Sequence, residues 1–447
     1  MLKRLLRKII PKPIFRLYHW TLSIIAAFLY GHPSRGLTVI GVTGTSGKTT
    51  TVEWIGRIIE HCGETVGWAT TNSFKIGSRE STNATKMTML GRFQTQKMLR
   101  EMARTGCKYA IVETSSQGIE QYRHLGIDYD LVLLTNLWPE HIEAHGGFEN
   151  YKKAKGKLFE HLGKKIRKQE NKKISIVNLD SEHADYFLKF KAEKKYGFGT
   201  GGKDARKGVK RNDTLTGVVP IQATKIKTSA SGSSFTIKDT KFHLGPIGLH
   251  NVENATAAVA TTLALGFDIK LIADAVARLP VVPGRLEVIN EGQPFNVIVD
   301  YAFEPVALSK LFETVQMFEH KRIIHLVGST GGGRDVSRRP KLGRLSSELA
   351  DVTIVTNEDP YDDDPQEIID QVAAGALEVG SHEGEDLYRI LDRAQAIKKA
   401  ITLADKGDIV LITGKGSEPV MAVKNGKTIP WDDRAEARKV LHKKIKN

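Results

Sequence analysis

Short apolar runs alternate with amphipathic stretches along most of the chain. The run from Thr38 to Val42 leads through a glycine-rich segment into a helical pattern from Thr49 to Cys62, which predicts strand, loop and helix. Three further runs, at Tyr109–Glu113, Leu131–Asn136 and Ile174–Asp180, end in polar residues. This alternation predicts a doubly wound α/β domain with a mostly parallel sheet. Ligands collect at the carboxyl ends of such strands.

The pattern changes in the second half of the chain. Residues 199–245 are rich in Gly, Lys, Thr and Ser, with short alternating stretches such as Ser234–Ile237, and they predict a small antiparallel excursion. Helical patterns return from His250 to Leu279, and Pro280-Val-Val-Pro283-Gly284 predicts a domain hinge. Strand candidates beyond it are Phe295–Asp300, Arg322–Val327, Thr353–Thr356 and Ile409–Thr413. We therefore expect an N-terminal helix within residues 1–36, a central domain over 37–283 and a C-terminal Rossmann-like α/β domain over 284–447.

The amino-terminal segment is apolar over residues 14–30, apart from a stripe formed by Arg16, His19 and Ser23. Seventeen residues that include Arg and His are marginal for crossing a bilayer. The basic residues in this region, with no acid among residues 1–16, are Lys3, Arg4, Arg7, Lys8, Lys12 and Arg16. Two interpretations stay open, an interfacial helix with a basic lead-in and a helix docked on the core. We expect a cytoplasmic protein, with peripheral contact to the inner face of the membrane through residues 1–30 as the open question.

Composition narrows the class of protein. A chain of 447 residues is long enough for two or three domains, and 40% hydrophobic with 26% charged residues is typical of a soluble globular protein. Cys62 and Cys107 form neither a disulfide framework nor a metal-binding spacing. The net charge of +15 is dispersed and lacks interleaved aromatic residues, which argues against a nucleic-acid partner.

The glycine-rich segment carries the first chemical signal. It reads Gly41-x-x-Gly44-x-x-Gly47-Lys48-Thr49, between a predicted strand and a predicted helix. Backbone N–H groups of such a loop approach phosphate oxygens, and the helix amino terminus favours negative charge. Lys48 is predicted to meet the β- and γ-phosphates of ATP, and Thr49 to bind Mg²⁺. The glycines recur every third residue, unlike the usual spacing of this loop.

That loop, Thr43-Gly-Thr-Ser-Gly-Lys-Thr-Thr50, resembles the loop of the Mur ligases, and within them most of all the UDP-N-acetylmuramoyl-tripeptide synthetases. The resemblance extends from about Thr38 to Leu441. It implies an ATP-dependent ligase that activates a muramoyl-peptide carboxylate as an acyl phosphate, which the amine of an amino acid then attacks. The ATP contacts it implies are Gly44, Thr45, Ser46, Gly47, Lys48, Thr49, Thr50, His250, Asn251, Asn254 and Arg285.

The resemblance also implies a magnesium-dependent catalytic set. From its position alone, Glu113 at a strand end is either a Mg²⁺ carboxylate or a buried structural one. In the family the matching Glu and the His matched by His141 hold magnesium, and the Lys matched by Lys155 is carbamylated. An unmodified Lys beside two Mg²⁺ ions would be electrostatically unfavourable. The implied catalytic residues are Lys48, Glu113, His141 and Lys155, and the implied metal ligands are Thr49, Glu113, His141 and carbamylated Lys155.

Two further residue sets are implied by the resemblance. Ser115, Gln121 and Arg123 match residues that contact the muramoyl peptide, and Arg334, Asp359, Gly414 and Glu418 are placed at the amino-acid pocket. Two histidines of the family are replaced here by Phe303 and Ser417, so we assign no ligands at these two positions. The family often has a third histidine where this chain has Gln117.

The identity of the substrate stays open at the sequence level. The resembled enzymes carry a domain that binds uridine diphosphate ahead of the phosphate loop, whereas residues 1–37 precede the first strand here. A UDP-linked and a lipid-linked muramoyl peptide are both considered. Diaminopimelate-adding enzymes show Asp-Asn-Pro-Arg, and the chain reads Glu358-Asp-Pro-Tyr361 in its place. The acids Glu358, Asp359, Asp362, Asp363 and Asp364 slightly favour a cationic, lysine-like amino acid.

Two rival functions are weighed against the ligase. A folylpolyglutamate-type ligase would share the architecture, but the Ser115–Arg123 motif speaks against it. A nucleotide-binding scaffold without ligase activity would not need the set formed by Glu113, His141 and Lys155.

Overall fold

The structure is a computed structural model that describes residues 12–85, 87–140, 145–164, 168, 171–201, 216–333 and 336–446. Of the predicted site residues, His141 and Arg334 lie outside the described residues, as do the basic residues Lys3 to Lys8.

The helices are numbered in chain order among the described residues. They are α1 (Lys12–Leu29), α2 (Lys48–His61), α3 (Arg92–Arg104), α4 (Ser116–Glu120), α5 (Phe148–Lys164), α6 (Ala184–Leu188), α7 (Leu249–Ala264), α8 (Ile269–Ala277), α9 (Pro305–Val315), α10 (Arg339–Leu349), α11 (Pro365–Leu377), α12 (Arg393–Leu403) and α13 (Asp433–Lys446).

The strands are β1 (Thr38–Thr43), β2 (Val66–Ala69), β3 (Ser73–Ile76), β4 (Arg79–Thr82), β5 (Tyr109–Glu113), β6 (Leu131–Leu134), β7 (Ile174–Asn178), β8 (Lys194–Gly199), β9 (Val218–Gln222), β10 (Thr224–Ser229), β11 (Gly232–Ile237), β12 (Thr240–Leu244), β13 (Glu287–Ile289), β14 (Asn296–Val299), β15 (Ile323–Val327), β16 (Val352–Thr356), β17 (Leu387–Ile390), β18 (Ile409–Ile412), β19 (Val420–Val423) and β20 (Lys427–Pro430).

The central domain is built on one twisted sheet with the strand order β4-β3-β2-β5-β1-β6-β7-β8-β9 in the described part of the chain. Strands β2, β5, β1, β6, β7, β8 and β9 run parallel, and β3 and β4 form an antiparallel edge. The apolar runs at β5, β6 and β7 are buried along their whole length, as strands covered by helices on both faces must be. The predicted doubly wound, mostly parallel sheet is confirmed.

The central sheet has one apolar core on each face. One core packs Trp54, Ile58 and other residues of α2 with α7 and α8. The other packs α3 and α5 around Tyr129 and Phe159. Because β1 lies at the middle of the sheet between these cores, the loop that follows it is held at the centre of one sheet edge.

The predicted antiparallel excursion is present as the three-stranded sheet β10-β11-β12. Its predicted range was too wide, because β9 joins the main sheet in parallel beside β8. Pro220 and the exposed Val219 lie on that strand. Proline has no backbone N–H to donate, and an edge strand tolerates it because one of its two sides has no neighbour to pair with.

The C-terminal domain is a second α/β unit. Its sheet order over the described residues is β13-β14-β18-β15-β16-β17, parallel except for the β13–β14 pair. Strands β14, β15, β16 and β18 therefore end at one edge, where Asp300, Gly328, Glu358 and Gly414 follow them. This confirms the C-terminal α/β fold and brings the polar strand ends together.

Helix α1 docks on the central domain through one face. Ser23, Ala26 and Ala27 are buried, and Ser23 Oγ donates a hydrogen bond to the carbonyl of Tyr122 at 2.8 Å. Among the described residues, no helix combines the length and the apolar character needed to span a bilayer.

Candidate active site

The phosphate loop between β1 and α2 is held in shape by the next strand of the sheet. Asn136, two residues after the end of β6, accepts hydrogen bonds at Oδ1 from the backbone N–H groups of Thr45 at 3.2 Å and Ser46 at 2.9 Å. Gly47 has φ 74°, and a Cβ there would lie 2.2 Å from Asn254 Oδ1. Only glycine fits this backbone and this close approach of α7.

Lys48 is the first residue of α2 and lines the cavity above the loop. Its Nζ donates to the carbonyl of Thr45 at 2.8 Å. Desolvation by the surrounding protein lowers the pKa of Lys48, an effect that the carboxylate of Glu113 opposes. The ammonium group of Lys48 thus lies beside the phosphate loop. A phosphate bound there would stabilise its positive charge, which burial destabilises.

Glu113 ends β5 and is buried next to the loop. Its Oε2 accepts hydrogen bonds from Thr49 Oγ1 at 2.9 Å, from the Thr71 backbone N–H at 2.8 Å and from Thr71 Oγ1 at 3.1 Å. Thr49 and Glu113 were predicted together as metal ligands, and the structure brings them together.

Lys155 lies on α5 with a side chain that is 1% exposed. Its Nζ donates to the carbonyl of Gly44 at 2.7 Å and lies 4.5 Å from the ring centroid of Tyr151. Burial lowers the pKa of Lys155 well below its usual range, and the positive charge of Lys48 lowers it further. Helix α5, which is rich in lysine, thus places the amine of Lys155 in the cavity. Its buried surroundings favour the uncharged form of this amine.

The residues present fit a magnesium ion at the phosphate loop. The Thr49 hydroxyl and the Glu113 carboxylate are oxygen ligands of the type that Mg²⁺ takes together with water and phosphate oxygens. Within the described ranges, no group of three His, Cys, Asp or Glu side chains forms a metal cluster. His141, the third candidate ligand, lies outside those ranges.

The adenine-side candidates from α7 also line the cavity. Burial lowers the pKa of His250 to about 4, with the charge of Lys310 acting in the same direction, so its imidazole is neutral at pH 7. Asn251 Nδ2 donates to the carbonyl of Ile247 at 2.8 Å. Asn254 Oδ1 lies 3.4 Å from Thr51 Oγ1, which donates to it.

The part of the cavity lined by the C-terminal domain contains a buried carboxylate. Glu358 Oε1 accepts a hydrogen bond from Thr330 Oγ1 at 2.7 Å, whereas its buried Oε2 has no hydrogen-bond partner among the described residues. Gly414 has φ 103°, and a Cβ there would lie 2.3 Å from this Oε2. Burial raises the pKa of Glu358, and the negative charge of Asp359 raises it further.

Asp359 and Glu418 are held by one lysine. Lys415, fully buried, donates to both carboxylate oxygens of Asp359 at 3.0 Å and to the carboxylate of Glu418. Glu418 Oε1 also accepts from the Tyr301 hydroxyl at 2.9 Å, and Arg285 stacks 4.2 Å from the Tyr301 ring centroid. Asp359 is therefore already paired with a cation of the protein.

One cavity of about 230 Å³ joins the two domains. Its lining includes these predicted residues: Gly44, Thr45, Ser46, Gly47, Lys48, Thr49, Thr50, Glu113, Ser115, Lys155, His250, Asn251, Asn254, Arg285, Asp359, Gly414 and Glu418. Several contacts cross between the domains beside it, among them two that involve the loop after β6. Glu140 pairs with Arg338 at 3.1 Å, and Trp138 Nε1 donates to Glu304 Oε1 at 3.2 Å.

Gln121 and Arg123 lie apart from this lining. Arg123 donates through Nη2 to Gln121 Oε1 at 2.7 Å, and the Gln121 carbonyl accepts from Arg92 Nη2 at 2.6 Å. Between them Tyr122 has φ 59°, a backbone conformation that a non-glycine residue holds only when its surroundings fix it. Ser23 of α1 supplies one such restraint through the Tyr122 carbonyl.

Sequence reasoning passed over several residues that shape the site. Asn136 and Lys415 lie two and three residues beyond the ends of buried strands, so their position was a usable signal. Thr71 follows a short strand without any motif, and its contact with Glu113 depends on the tertiary fold alone.

Comparison with known proteins agrees with this geometry. Residues 42–262 match the Mur ligase middle domain, and residues 284–416 match the domain described as Mur ligase, glutamate ligase domain. The chain is 36% identical over 450 residues to the UDP-N-acetylmuramyl-tripeptide synthetase of Roseiflexus sp. (strain RS-1), covering 97% of this chain and 84% of the relative. It is 35% identical to the UDP-N-acetylmuramoyl-L-alanyl-D-glutamate–2,6-diaminopimelate ligase of Geobacillus kaustophilus (strain HTA426), covering 93% and 81%.

Solved structures show the same architecture. A structure of UDP-N-acetylmuramoyl-L-alanyl-D-glutamate–2,6-diaminopimelate ligase superposes with a TM-score of 0.58 at 29% identity, covering 92% of this chain and 79% of that one. The folylpolyglutamate synthase of Mycobacterium tuberculosis shares the fold alone, with a TM-score of 0.65 at 15% identity over 88% and 92%. Both domains match the family, and the Roseiflexus and Geobacillus relatives are more than 30% identical to this chain. The chain therefore belongs to the Mur ligase family.

Proposed function

We propose that the protein is an ATP-dependent ligase that adds an amino acid to a muramoyl-peptide carboxylate in peptidoglycan precursor synthesis. The observation that carries this proposal is the single cavity in which the phosphate loop faces the strand ends of the C-terminal domain. ATP bound at the loop and an amino acid bound near Glu358 and Gly414 would thereby share one enclosed space.

The chemistry follows from the side chains around that space. The substrate carboxylate attacks the γ-phosphorus of ATP, forming a bond to phosphorus as the bond to ADP breaks, and an acyl phosphate results. The amine of the amino acid then attacks the acyl carbon, phosphate leaves, and an amide remains after the amine loses its proton. We propose that Lys48 and Arg285, which both line the cavity, neutralise negative charge on the phosphoryl group.

A magnesium ion would be held by Thr49 and Glu113 and, by family resemblance, by His141. When bound, it would act as a Lewis acid on phosphate oxygens. Glu113 accepts hydrogen bonds at one oxygen and is fixed in place by Thr49 and Thr71, so its role is to position charge.

We also propose that Lys155 is carbamylated in the active protein. Its depressed pKa favours the neutral amine, whose nitrogen can bond to the carbon of carbon dioxide and lose a proton, giving a carbamate anion. That anion would balance the positive charges gathered at the loop. Intact-mass measurement with and without bicarbonate tests this modification, and an unmodified Lys155 in active enzyme would overturn it.

For the domain arrangement, we propose a boundary at residues 283 and 284, with residues 37–283 binding ATP and 284–447 binding the amino acid. Motion about Pro283–Gly284 would open the cavity to substrates and close it for catalysis. Closure excludes water from a reactive acyl phosphate.

A lysine-like amino acid is our preferred substrate. Of the five acids that suggested a cation, Asp359 is paired with Lys415, and Asp362, Asp363 and Asp364 bond to protein groups. Glu358 is the acid whose buried Oε2 remains without a hydrogen-bond partner among the described residues. A substrate ammonium would satisfy it. The named relatives include diaminopimelate ligases, so diaminopimelate is the competing candidate.

The decisive experiment measures phosphate release from ATP by the purified full chain with UDP-linked muramoyl dipeptide and a panel of amino acids. Release that depends on both the muramoyl peptide and one amino acid is expected, and Lys48→Ala should reduce it by about a thousandfold or more. ATP hydrolysis indifferent to the amino acid would contradict ligase activity. We also propose contact with the inner face of the membrane through residues 1–30. This second proposal is independent of the ligase activity, because it rests on α1 and not on the residues that line the cavity.

A further inference from the structure

Helix α1 presents its large apolar side chains outward. Of the 21 exposed large apolar side chains among the described residues, eight lie on this helix of 18 residues. They are Ile14, Leu17, Tyr18, Trp20, Ile24, Ile25, Phe28 and Leu29, and the most exposed, Phe28 and Leu17, are 73% and 62% accessible. At 3.6 residues per turn they cover about half of the helix circumference.

The opposite face of α1 consists mainly of small and polar residues, together with the half-buried Phe15 and Leu22. Ala26 and Ala27 are buried against the central domain. Arg92 Nε donates to Ser23 Oγ at 3.1 Å and to the carbonyl of His19 at 3.2 Å. A surface helix of a water-exposed domain normally turns its large apolar residues inward and its polar residues outward. Here the order is reversed, so the outward face is built for an apolar medium.

The charge of the sequence that leads into α1 indicates which apolar medium this is. Residues 1–16 contain six basic residues, and no Asp or Glu precedes Glu53. Basic residues next to an interfacial apolar face attract anionic lipid. The same charges would repel each other if two copies met through α1 side by side and in parallel. We propose that the exposed face of α1, with the basic lead-in before it, docks the protein on an anionic lipid surface without crossing it.

Docking in this orientation would place residues 121–123 close to the lipid. We call them the substrate segment, because Gln121 and Arg123 match residues that contact the muramoyl peptide in the family. Tyr122, between Gln121 and Arg123, bonds to the inner side of α1, so the segment lies about one helix diameter, or 10 Å, from the surface. This placement matters for catalysis only if the proposed function is correct, whereas lipid binding itself does not depend on it.

The test is flotation of the full chain with vesicles of phosphatidylcholine alone or with added phosphatidylglycerol. We expect binding to the anionic vesicles that weakens as salt is raised. The double variant Leu17→Ser, Phe28→Ser should bind about tenfold more weakly for each side chain removed. Replacing Lys3, Arg4, Arg7 and Lys8 with Gln should weaken binding about fivefold per charge.

The matched control is Leu271→Ser, Leu377→Ser, which alters two side chains exposed by 49% and 46% on other helices and should bind like the unaltered chain. Trp20, on the same face, should be quenched by lipids brominated in their acyl chains, and Trp20→Phe should lose that quenching. Unchanged vesicle binding by Leu17→Ser, Phe28→Ser, or equal binding to neutral vesicles, would overturn the proposal. So would a dimer that depends on Leu17 and Phe28 in a chain that ignores vesicles. Amino-acid-dependent ligation is assayed without vesicles, so the two proposals can fail independently.

Discussion

Glu358 combines burial, a raised pKa and one oxygen without a hydrogen-bond partner among the described residues. These features make it the residue on which amino-acid selectivity should depend. If a substrate ammonium bonds to Oε2, Glu358→Gln removes the charge of that bond while keeping its shape. The KM for lysine should then rise about tenfold to a hundredfold, the range of a charged hydrogen bond, with little change in the KM for ATP. Steady-state kinetics over the amino-acid panel measure both.

Asp362→Asn is the matched control for that change. Asp362 is exposed on the same loop and accepts a hydrogen bond from the Asn425 backbone N–H, so its replacement should leave the KM for lysine unchanged. An equal loss in both variants would assign the effect to loop structure. Fastest turnover with diaminopimelate in the unaltered chain would rule out the lysine preference.

Glu53, on α2, gives a prediction about pH. Burial raises its pKa to about 7, although hydrogen bonds from Ser73 and Thr70 oppose the shift. In the unfolded chain the carboxyl has an ordinary pKa near 4.5, so the folded state binds more protons between these values. The stability contributed by protonated Glu53 is full below about pH 4.5 and is lost as pH rises through about 7, by roughly 3 kcal/mol. Urea unfolding of Glu53→Gln across this range should lack that component, and a profile like that of the unaltered chain would contradict it.

The individual site residues differ in how well sequence alone predicts them. The position of Lys48 and Thr49 could be predicted, because the glycine-rich loop leads directly into the helix that they open, beside the cavity that they line. Lys155 could be found only through resemblance, since in sequence it belongs to a basic helix, and its burial depends on how α5 crosses the sheet. Sequence could not show that Asp359 is paired with a lysine while Glu358 keeps one oxygen without a partner among the described residues. This difference depends on Lys415, which lies 56 residues further along the chain.

At the scale of elements, α3 connects α1 to the substrate segment through Arg92. This side chain bonds at once to His19, Ser23 and the carbonyl of Gln121. Arg92→Ala should lower the free energy of unfolding by about 1–3 kcal/mol and raise the KM for the muramoyl peptide, because Tyr122 loses part of its support. The KM for ATP should not change. Lys97→Ala, an exposed position on the same helix, is the control, and a muramoyl-peptide KM that is insensitive to Arg92→Ala would refute the connection.

The elements that sequence predicted and those it missed differ in burial. Strands β1, β5, β6 and β7 were predicted because both faces are covered, which leaves continuous apolar runs. The hairpin of β3 and β4 was missed, since β4 is exposed at every position and carries Arg79-Glu-Ser-Thr82. For α1 the apolar pattern predicted a helix, but the docked face could be recognised only once Ser23 and Arg92 were seen in contact.

For the whole molecule, the parallel strands of each sheet could be predicted, and with them the edge at which each half of the site gathers. The arrangement of the two sheet edges relative to each other could not be predicted, because it depends on contacts between residues far apart in sequence. Trp138 with Glu304, and Glu140 with Arg338, are two of these. Both connect the loop after β6 to the C-terminal domain, directly beside the shared cavity.

The Glu140–Arg338 pair is buried, with side chains 6% and 5% exposed, and removing one partner of such a pair costs about 3–5 kcal/mol. If the domains close as proposed, Arg338→Gln should shift the population from the closed toward the open arrangement. Water would then reach the acyl phosphate, so phosphate release should exceed amide formation, and the radius of gyration with ATP and substrate bound should increase in X-ray scattering. Arg344→Gln is the control, since its ion pair with Glu378 is exposed and lies within one domain. If Arg338→Gln slows phosphate release and amide formation in equal proportion, with no change in radius, the pair serves the chemistry at Lys48 through Glu140 and not the closure of the domains.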